Sequence, residues 1–120
     1  MSDNDDYENY GDDNENAIRY YVDQNDRVVK ADKGITKLYL SPDVREIAAE
    51  VFKDQKELET VILGNCVKIG EGVFKNCPSL TKVELSKSIL EIPKEAFSNC
   101  KSLSYILLPD VCFSVKSKAF

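Results

Sequence analysis

Apolar and polar residues alternate in short stretches that are separated by turn-forming residues. Within residues 80–85 the apolar positions 83 and 85 alternate with Lys82 and Glu84, which is the period-two pattern of a β-strand with one buried face. Residues 86–88 predict a turn, and residues 89–92 predict a second short extended piece. Residues 93–97 begin with proline and predict a single helical turn.

The same unit recurs along the chain at intervals of 22 or 23 residues. One such unit has too little apolar surface to form a core by itself, so neighbouring units must stack and share one. We therefore predict an α/β solenoid of about three and a half units over residues 35–120, with a parallel β-strand stack and short helical turns. Six columns keep the repeat phase: Phe52, Phe74, Phe97 and Phe120; Ile47, Ile69, Ile92 and Val115; Val44, Cys66, Ile89 and Cys112; Leu58, Leu80 and Leu103; Val61, Val83 and Ile106; Leu63, Leu85 and Leu108.

The repeated pattern resembles the 23-residue leucine-rich repeat of the BspA-like, Treponema-type family. Residues 67–80 (VKIGEGVFKNCPSL) and 89–103 (ILEIPKEAFSNCKSL) carry the resemblance, which extends over roughly residues 35–120. It implies an α/β leucine-rich-repeat solenoid and a role in protein binding, as an adhesin or surface antigen. The first unit has Asp54 and Gln55 where later units have Asn-Cys, as expected for a terminal repeat.

Two segments precede the repeats. Residues 17–34 alternate apolar and polar side chains on both sides of a polar turn, which predicts a β-hairpin capping the first rung. Residues 1–16 hold seven acidic residues and no lysine or arginine, so we expect a disordered acidic tail. Its acids do not form a calcium loop, because placing Gly11 at the sixth position puts Ala17 where a bidentate glutamate is required.

The charge of the chain argues against nucleic acid as a partner. The net charge is −5, but residues 17–120 alone carry 14 acidic and 16 basic residues and are nearly neutral. No apolar run approaches the roughly 20 residues that span a bilayer, and the N-terminus lacks the apolar core of a signal peptide. These features predict a cytoplasmic protein without a membrane span, whereas the family resemblance implies the cell surface.

The chain of 120 residues contains no histidine, which removes the usual general base and the commonest metal ligand. Cys66 and Cys112 share a column with valine and isoleucine, which indicates small buried apolar groups. Cys77 and Cys100 share another column in neighbouring rungs, where structural thiols, a disulfide and a shared metal are all alternatives. We expect no catalytic residue, no cofactor and no metal site, and hence no enzymatic activity.

Two groups of residues are candidates for contact with a partner. The first lies on the outward side of the predicted strands but is apolar or aromatic, which suits a protein contact as well as simple strand preference: Tyr39, Ile62, Tyr105 and Leu107. The second occupies core columns of a last rung that no later rung covers: Phe113, Val115 and Phe120.

Two function classes follow from these groups. One is a protein-binding module that uses the outward side of the sheet. The other is a structural or assembly element, which stacks or dimerises through its open C-terminal rung as a homo-oligomer.

Overall fold

The computed structural model describes residues 8–10 and 20–120. Their secondary structure consists of short β-strands in three groups, ordered β1-β2-β3-β5-β7, β4-β6-β8 and β9-β10. The strands are β1 (Glu8–Tyr10), β2 (Tyr20–Val22), β3 (Arg27–Ala31), β4 (Lys37–Tyr39), β5 (Glu46–Ile47), β6 (Thr60–Ile62), β7 (Lys68–Ile69), β8 (Lys82–Glu84), β9 (Glu91–Ile92) and β10 (Ser114–Val115).

Strands one repeat apart pair in parallel, so each repeat forms one rung of a solenoid. In the outer sheet, which consists of β4, β6 and β8, Leu38 lies opposite Val61 and Val61 opposite Val83. In the second row of short strands, Ile47 of β5 lies opposite Ile69 of β7. Ile92 of β9 likewise lies opposite Val115 of β10. The parallel-strand solenoid predicted from the columns is confirmed, with about four turns.

The core lies inside the rungs and is built from the repeating columns. Phe52, Phe74 and Phe97 are fully buried, and their rings stack with centroids 5.5 Å apart. Phe120 continues the stack at 5.6 Å from Phe97. Because each ring stacks on the ring of a neighbouring rung, the stack links the rungs into one continuous hydrophobic core.

The expected helical turns are not present, and the part of the chain that the structure describes contains no helix. In the segment 93–97 and its counterparts, alternate N–H groups donate to the next rung and not four residues back. Phe74 N–H, for example, donates to the carbonyl of Ala96 at 2.8 Å. Left-handed backbone at Glu95 (φ 59°) and Asn99 (φ 62°) also stops a right-handed helix from continuing. These segments are successive β-turns that are hydrogen-bonded to the equivalent turns of neighbouring rungs.

Side-chain amides add further hydrogen bonds between rungs at one of the left-handed positions. Asn76 Nδ2 donates to Asp54 Oδ1 at 2.9 Å, and Asn99 Nδ2 donates to Asn76 Oδ1 at 2.8 Å. All three residues have positive φ, which asparagine and aspartate tolerate better than most other residues. The Asn of the Asn-Cys motif therefore has a structural role, and Asp54 fills it in the first full rung.

The N-terminal end of the solenoid is covered by a hairpin of β2 and β3. These strands pair antiparallel, and β3 also pairs in parallel with β5, which places Val28 opposite Ile47. Tyr20 and Val28 are buried against the first rung, and Ser41 N–H donates to the Tyr20 hydroxyl at 2.7 Å. The cap is therefore joined to the core by both packing and hydrogen bonds.

The acidic segment is not wholly without structure, contrary to the expectation for residues 1–16. Glu8–Tyr10 forms β1, which pairs antiparallel with β2 and places Glu8 opposite Val22. Residues 1–7 and 11–16 lie outside the described residues, as do residues 17–19 of the expected hairpin.

The last rung is only half attached to the rung before it. Its second half pairs through β10 with β9, and Phe97 N–H donates to Ala119 at 2.7 Å. Its first half, residues 103–109, forms no strand, so the strand that the repeat pattern predicts for this part of the rung is absent. The backbone hydrogen bonds show the difference between the two rungs: Leu63 N–H donates to Glu84 at 3.0 Å, whereas the equivalent Leu85 N–H has no backbone acceptor among the described residues.

Candidate functional site

A cleft of about 490 Å³ lies between β8 and the unattached first half of the last rung. One wall is the free edge of β8, and the other is the segment 105–109. Separation of these two walls leaves Val83 and Leu85 only half-buried, whereas Val61 and Leu63 in the preceding rung are fully buried. The cleft is lined by Thr81, Lys82, Val83, Glu84, Leu85, Lys87, Tyr105, Leu107, Leu108 and Pro109.

The structure places the four outward apolar residues predicted for partner binding in two separate groups. Tyr39 and Ile62 are register partners on β4 and β6, and both point away from the core. Tyr105 and Leu107 are far more exposed, at 79% and 81%, and lie across the cleft from β8. The outward row of side chains that the sequence predicted is therefore not continuous, because it breaks between β8 and residues 105–107.

The cleft offers apolar surface together with charges of both signs. Lys82 and Glu84 lie on the outward side of β8, and Lys87 follows in the next turn. Tyr105 and Leu107 supply the apolar side chains of the opposite wall. The arrangement suits a polypeptide better than a strongly charged ligand, because neither sign of charge dominates.

The prediction for Phe113 is wrong in one respect, because this residue is not in a core column. Phe113 N–H donates to the carbonyl of Leu90 at 3.0 Å, and the side chains of Val67, Leu90 and Phe113 are all exposed. These three residues form an outward apolar stripe that sequence reasoning missed. The signal was available in the repeat, since each of them directly follows a position of the buried column that contains Cys66 and Ile89.

Val115 and Phe120 do occupy core columns, but they remain partly exposed at the end of the solenoid. Val115 is 48% exposed although its predecessor Ile92 is fully buried. Phe120 is 54% exposed although Phe97 is 1% exposed. The two side chains therefore lack the contact that a further layer provides elsewhere in the chain.

The cysteines are all free thiols, and the carbonyls of the solenoid accept their hydrogen bonds. Cys77 Sγ donates to Phe52 O at 3.3 Å, and Cys100 Sγ donates to Phe74 O at 3.2 Å. The adjacent Cys100 thiol, together with burial, raises the pKa of Cys77, whereas the adjacent Cys77 thiol lowers the pKa of Cys100. Both thiols therefore complete the hydrogen bonding of the inner turns.

Cys66 is equally enclosed. Burial raises its pKa to about 11. Its Sγ donates to the carbonyl of Lys68 at 3.2 Å. The thiol is protonated at neutral pH and so lacks the thiolate that nucleophilic catalysis requires.

Within residues 8–10 and 20–120 there is no group of three or more Cys, Asp or Glu side chains placed to hold a metal ion. The same part of the chain contains no helix long and apolar enough to cross a membrane.

Comparison with known proteins agrees with this architecture. The model of the BspA-type leucine-rich repeat region matches residues 28–120 with six copies. A leucine-rich cell surface protein from Faecalibacterium prausnitzii has a similar solved structure, with a TM-score of 0.79 and 28% sequence identity. The similarity covers 86% of this chain but only 28% of that one. Comparison with curated proteins finds no match. Since the family model covers most of the chain, the protein belongs to the BspA-type leucine-rich repeat family.

Proposed function

We propose that this chain is a protein-binding module, and that its partner binds at the cleft between β8 and residues 105–109. The observation that carries the proposal is the free edge of β8. The Leu85 N–H has no backbone acceptor among the described residues, and the exposed Tyr105 and Leu107 face it across the cleft. An edge of this kind favours an extended polypeptide, because another strand can pair with its whole row of backbone groups.

The side chains around the edge support the same class of partner. Backbone hydrogen bonds to β8 provide affinity for any extended segment, whereas apolar contacts with Tyr105 and Leu107 select among segments. Tyr39 and Ile62 extend the apolar surface on the far side of β8. We therefore expect partner segments with apolar residues at alternate positions.

The setting that we propose for this binding is the cell surface, with a role of the adhesin or surface-antigen kind. The similar solved structure is that of a leucine-rich cell surface protein, which supports this setting. The chain spans 28% of the length of that protein, so the role is proposed for the repeat module alone.

The test compares two double variants that leave the core intact. Immobilised wild-type chain, Tyr105→Ser/Leu107→Ser and Tyr39→Ser/Ile62→Ser are exposed to cell-surface proteins, and the retained proteins are identified by mass spectrometry. The first variant should lose retained partners, the second should bind more weakly, and all three should unfold at similar urea concentrations. Unchanged retention by the Tyr105→Ser/Leu107→Ser variant contradicts binding at the cleft.

A further inference from the structure

Two thiols of the chain lie next to each other in neighbouring rungs. Cys77 and Cys100 occupy the same repeat column, and each thiol is close enough to affect the pKa of the other. Both are free thiols. Whether two such groups can react with each other depends on the spacing of their backbones and the direction of their side chains.

The backbones at the two cysteines are held at the spacing of paired strands. Asn76 N–H donates to the carbonyl of Ser98 at 2.8 Å, and Asn99 Nδ2 donates to Asn76 Oδ1 at 2.8 Å. Backbones that are joined in this way lie about 4.8 Å apart, and the Cα atoms of a disulfide lie roughly 4.4 to 6.8 Å apart. A bond between Cys77 and Cys100 therefore fits the existing spacing of the rungs.

The two side chains also leave the backbone in the same way. The turn that follows is the same in both rungs, because Leu80 N–H donates to Cys77 O at 3.2 Å and Leu103 N–H donates to Cys100 O at 3.1 Å. Cys100 Sγ donates to the carbonyl of Phe74, which belongs to the rung of Cys77. The Cys100 sulfur therefore lies towards that rung, and rotation of the Cys77 side chain about its Cα–Cβ bond is the movement that joins the two sulfurs.

The other two cysteines do not form an equivalent pair. Cys66 and Cys112 share a column, but Ile89 occupies that column in the rung between them. Two rungs correspond to about 10 Å, which is too far for a disulfide. Among the described residues, Cys77 and Cys100 are therefore the cysteines that share a column in adjacent rungs.

We propose that Cys77 and Cys100 form a reversible disulfide when the folded chain meets a peroxide, and that this bond ties the rung of β8 to the rung before it. In the first step the Cys100 thiolate attacks one peroxide oxygen, the O–O bond breaks, and a sulfenic acid and hydroxide form. In the second step the Cys77 thiol attacks the Cys100 sulfur, the S–S bond forms, and the sulfenic oxygen leaves as water. Two thiols and one hydrogen peroxide thus give one disulfide and two water molecules, and an added thiol reverses the reaction.

The order of the two steps follows from the surroundings of the thiols. The adjacent Cys77 thiol lowers the pKa of Cys100, so Cys100 has the larger share of thiolate, which is the form that peroxide oxidises. The adjacent Cys100 thiol, together with burial, raises the pKa of Cys77. Cys77 is therefore the thiol that resolves the sulfenic acid.

The bond closes residues 77–100 into a loop that contains β8 and β9. A cross-link between groups that already lie together in the folded chain restricts the unfolded chain far more, so oxidation should stabilise the solenoid. Neither cysteine lines the cleft, so the disulfide and the binding of a partner at the cleft are independent of each other.

Treatment of the folded full chain with equimolar hydrogen peroxide tests the proposal, followed by blocking of the remaining thiols and peptide mapping by mass spectrometry. The expected product has lost two hydrogen atoms, joins Cys77 to Cys100 and keeps Cys66 and Cys112 free. Its urea midpoint should be at least about 0.5 M higher than that of the reduced chain, and dithiothreitol should reverse both changes. Cys66→Val is the matched control, because Val44 occupies the same column one rung earlier, and it should form the bond as the wild type does. Cys77→Ser should form no intramolecular disulfide.

Four results overturn the proposal: a folded chain that keeps all four thiols, a disulfide that joins other cysteines, sulfinic acid at Cys100 with Cys77 still free, or a urea midpoint that does not rise on oxidation. The peptide map of the wild-type chain decides the first three, whether or not the variants fold. Circular dichroism before and after oxidation shows that the bond forms within the folded solenoid.

Discussion

The side-chain amide of Gln55 donates a hydrogen bond of 2.9 Å to the carbonyl of Asp32 and so links the first full rung to the cap. In later rungs the same column holds Cys77 and Cys100, whose shorter thiols reach carbonyls of the preceding rung. Gln55 is buried, and its Oε1 has no hydrogen-bond partner among the described residues. A glutamine at this position, where later rungs have cysteine, therefore lets the first full rung bond to the hairpin. The hairpin occupies the place that a preceding repeat takes elsewhere.

Replacing Gln55 by Met should lower the free energy of unfolding by about 1 kcal/mol, because the volume is kept but the bond to Asp32 is lost. Replacing it by Ala should cost about 2–3 kcal/mol, since a cavity is added. Urea unfolding followed by circular dichroism measures both. Equal stability of wild type and Gln55→Met would mean that the hydrogen bond contributes nothing net.

The phenylalanine stack predicts unequal costs for equivalent truncations. Phe74→Ala should destabilise the chain by about 3–5 kcal/mol, because the cavity lies between two rings that remain. Phe120→Ala should cost about 1 kcal/mol, because Phe120 is half exposed and stacks on Phe97 alone. Chemical denaturation gives both values. A loss below about 1 kcal/mol for Phe74→Ala shows that the stack is not core.

The stacked rungs were predictable because each column repeats in phase, and a repeat that lacks its own core has to share one. The absence of helical turns was not predictable in this way. Residues 93–97 look helical in isolation, but the carbonyls of the next rung accept hydrogen bonds from their N–H groups, as Ala119 does from Phe97. This competition arises only after stacking, and no single repeat reveals it.

The buried thiol at Cys66 predicts lower stability at alkaline pH. Burial raises its pKa in the folded chain from 9 to about 11, so the unfolded chain releases its proton first as pH rises. The contribution of the neutral thiol is complete below about pH 9 and is lost towards pH 11, by up to about 2–3 kcal/mol.

Urea unfolding at pH 7.5 and pH 10.5 measures this effect. Cys66→Val is the matched control, because Val44 occupies the same buried column one rung earlier. The variant should lose less stability than the wild type between these pH values. An equal loss in both proteins assigns the alkaline effect to other groups, such as Tyr20, whose pKa is raised by burial.

Deleting residues 1–16 should leave the solenoid folded. The deletion removes the three-residue pairing of β1 with β2, whereas the buried core that the structure describes begins at Tyr20. We expect a fall of less than about 5 °C in the thermal midpoint, as measured by calorimetry. A larger fall indicates that the acidic segment packs on the cap.

The candidate site was predictable only in part. Alternation placed Tyr39, Ile62, Tyr105 and Leu107 on the outward side, but strand pattern alone gives no sign that residues 103–109 leave β8. The pattern of residues 103–108 matches that of residues 80–85, which contain the paired strand β8. Detachment is a property of how the last rung lies against β8, and alternation within one segment does not report it.

Amide hydrogen exchange at Leu63 and Leu85 tests most directly whether the cleft is open, which the proposed binding requires. The Leu63 N–H donates to Glu84 and should exchange slowly, whereas the Leu85 N–H lacks a backbone acceptor within the described residues and should exchange at least a hundredfold faster. Slow exchange at both amides would show that residues 105–109 close on β8 in solution, and would contradict the binding edge proposed for this module.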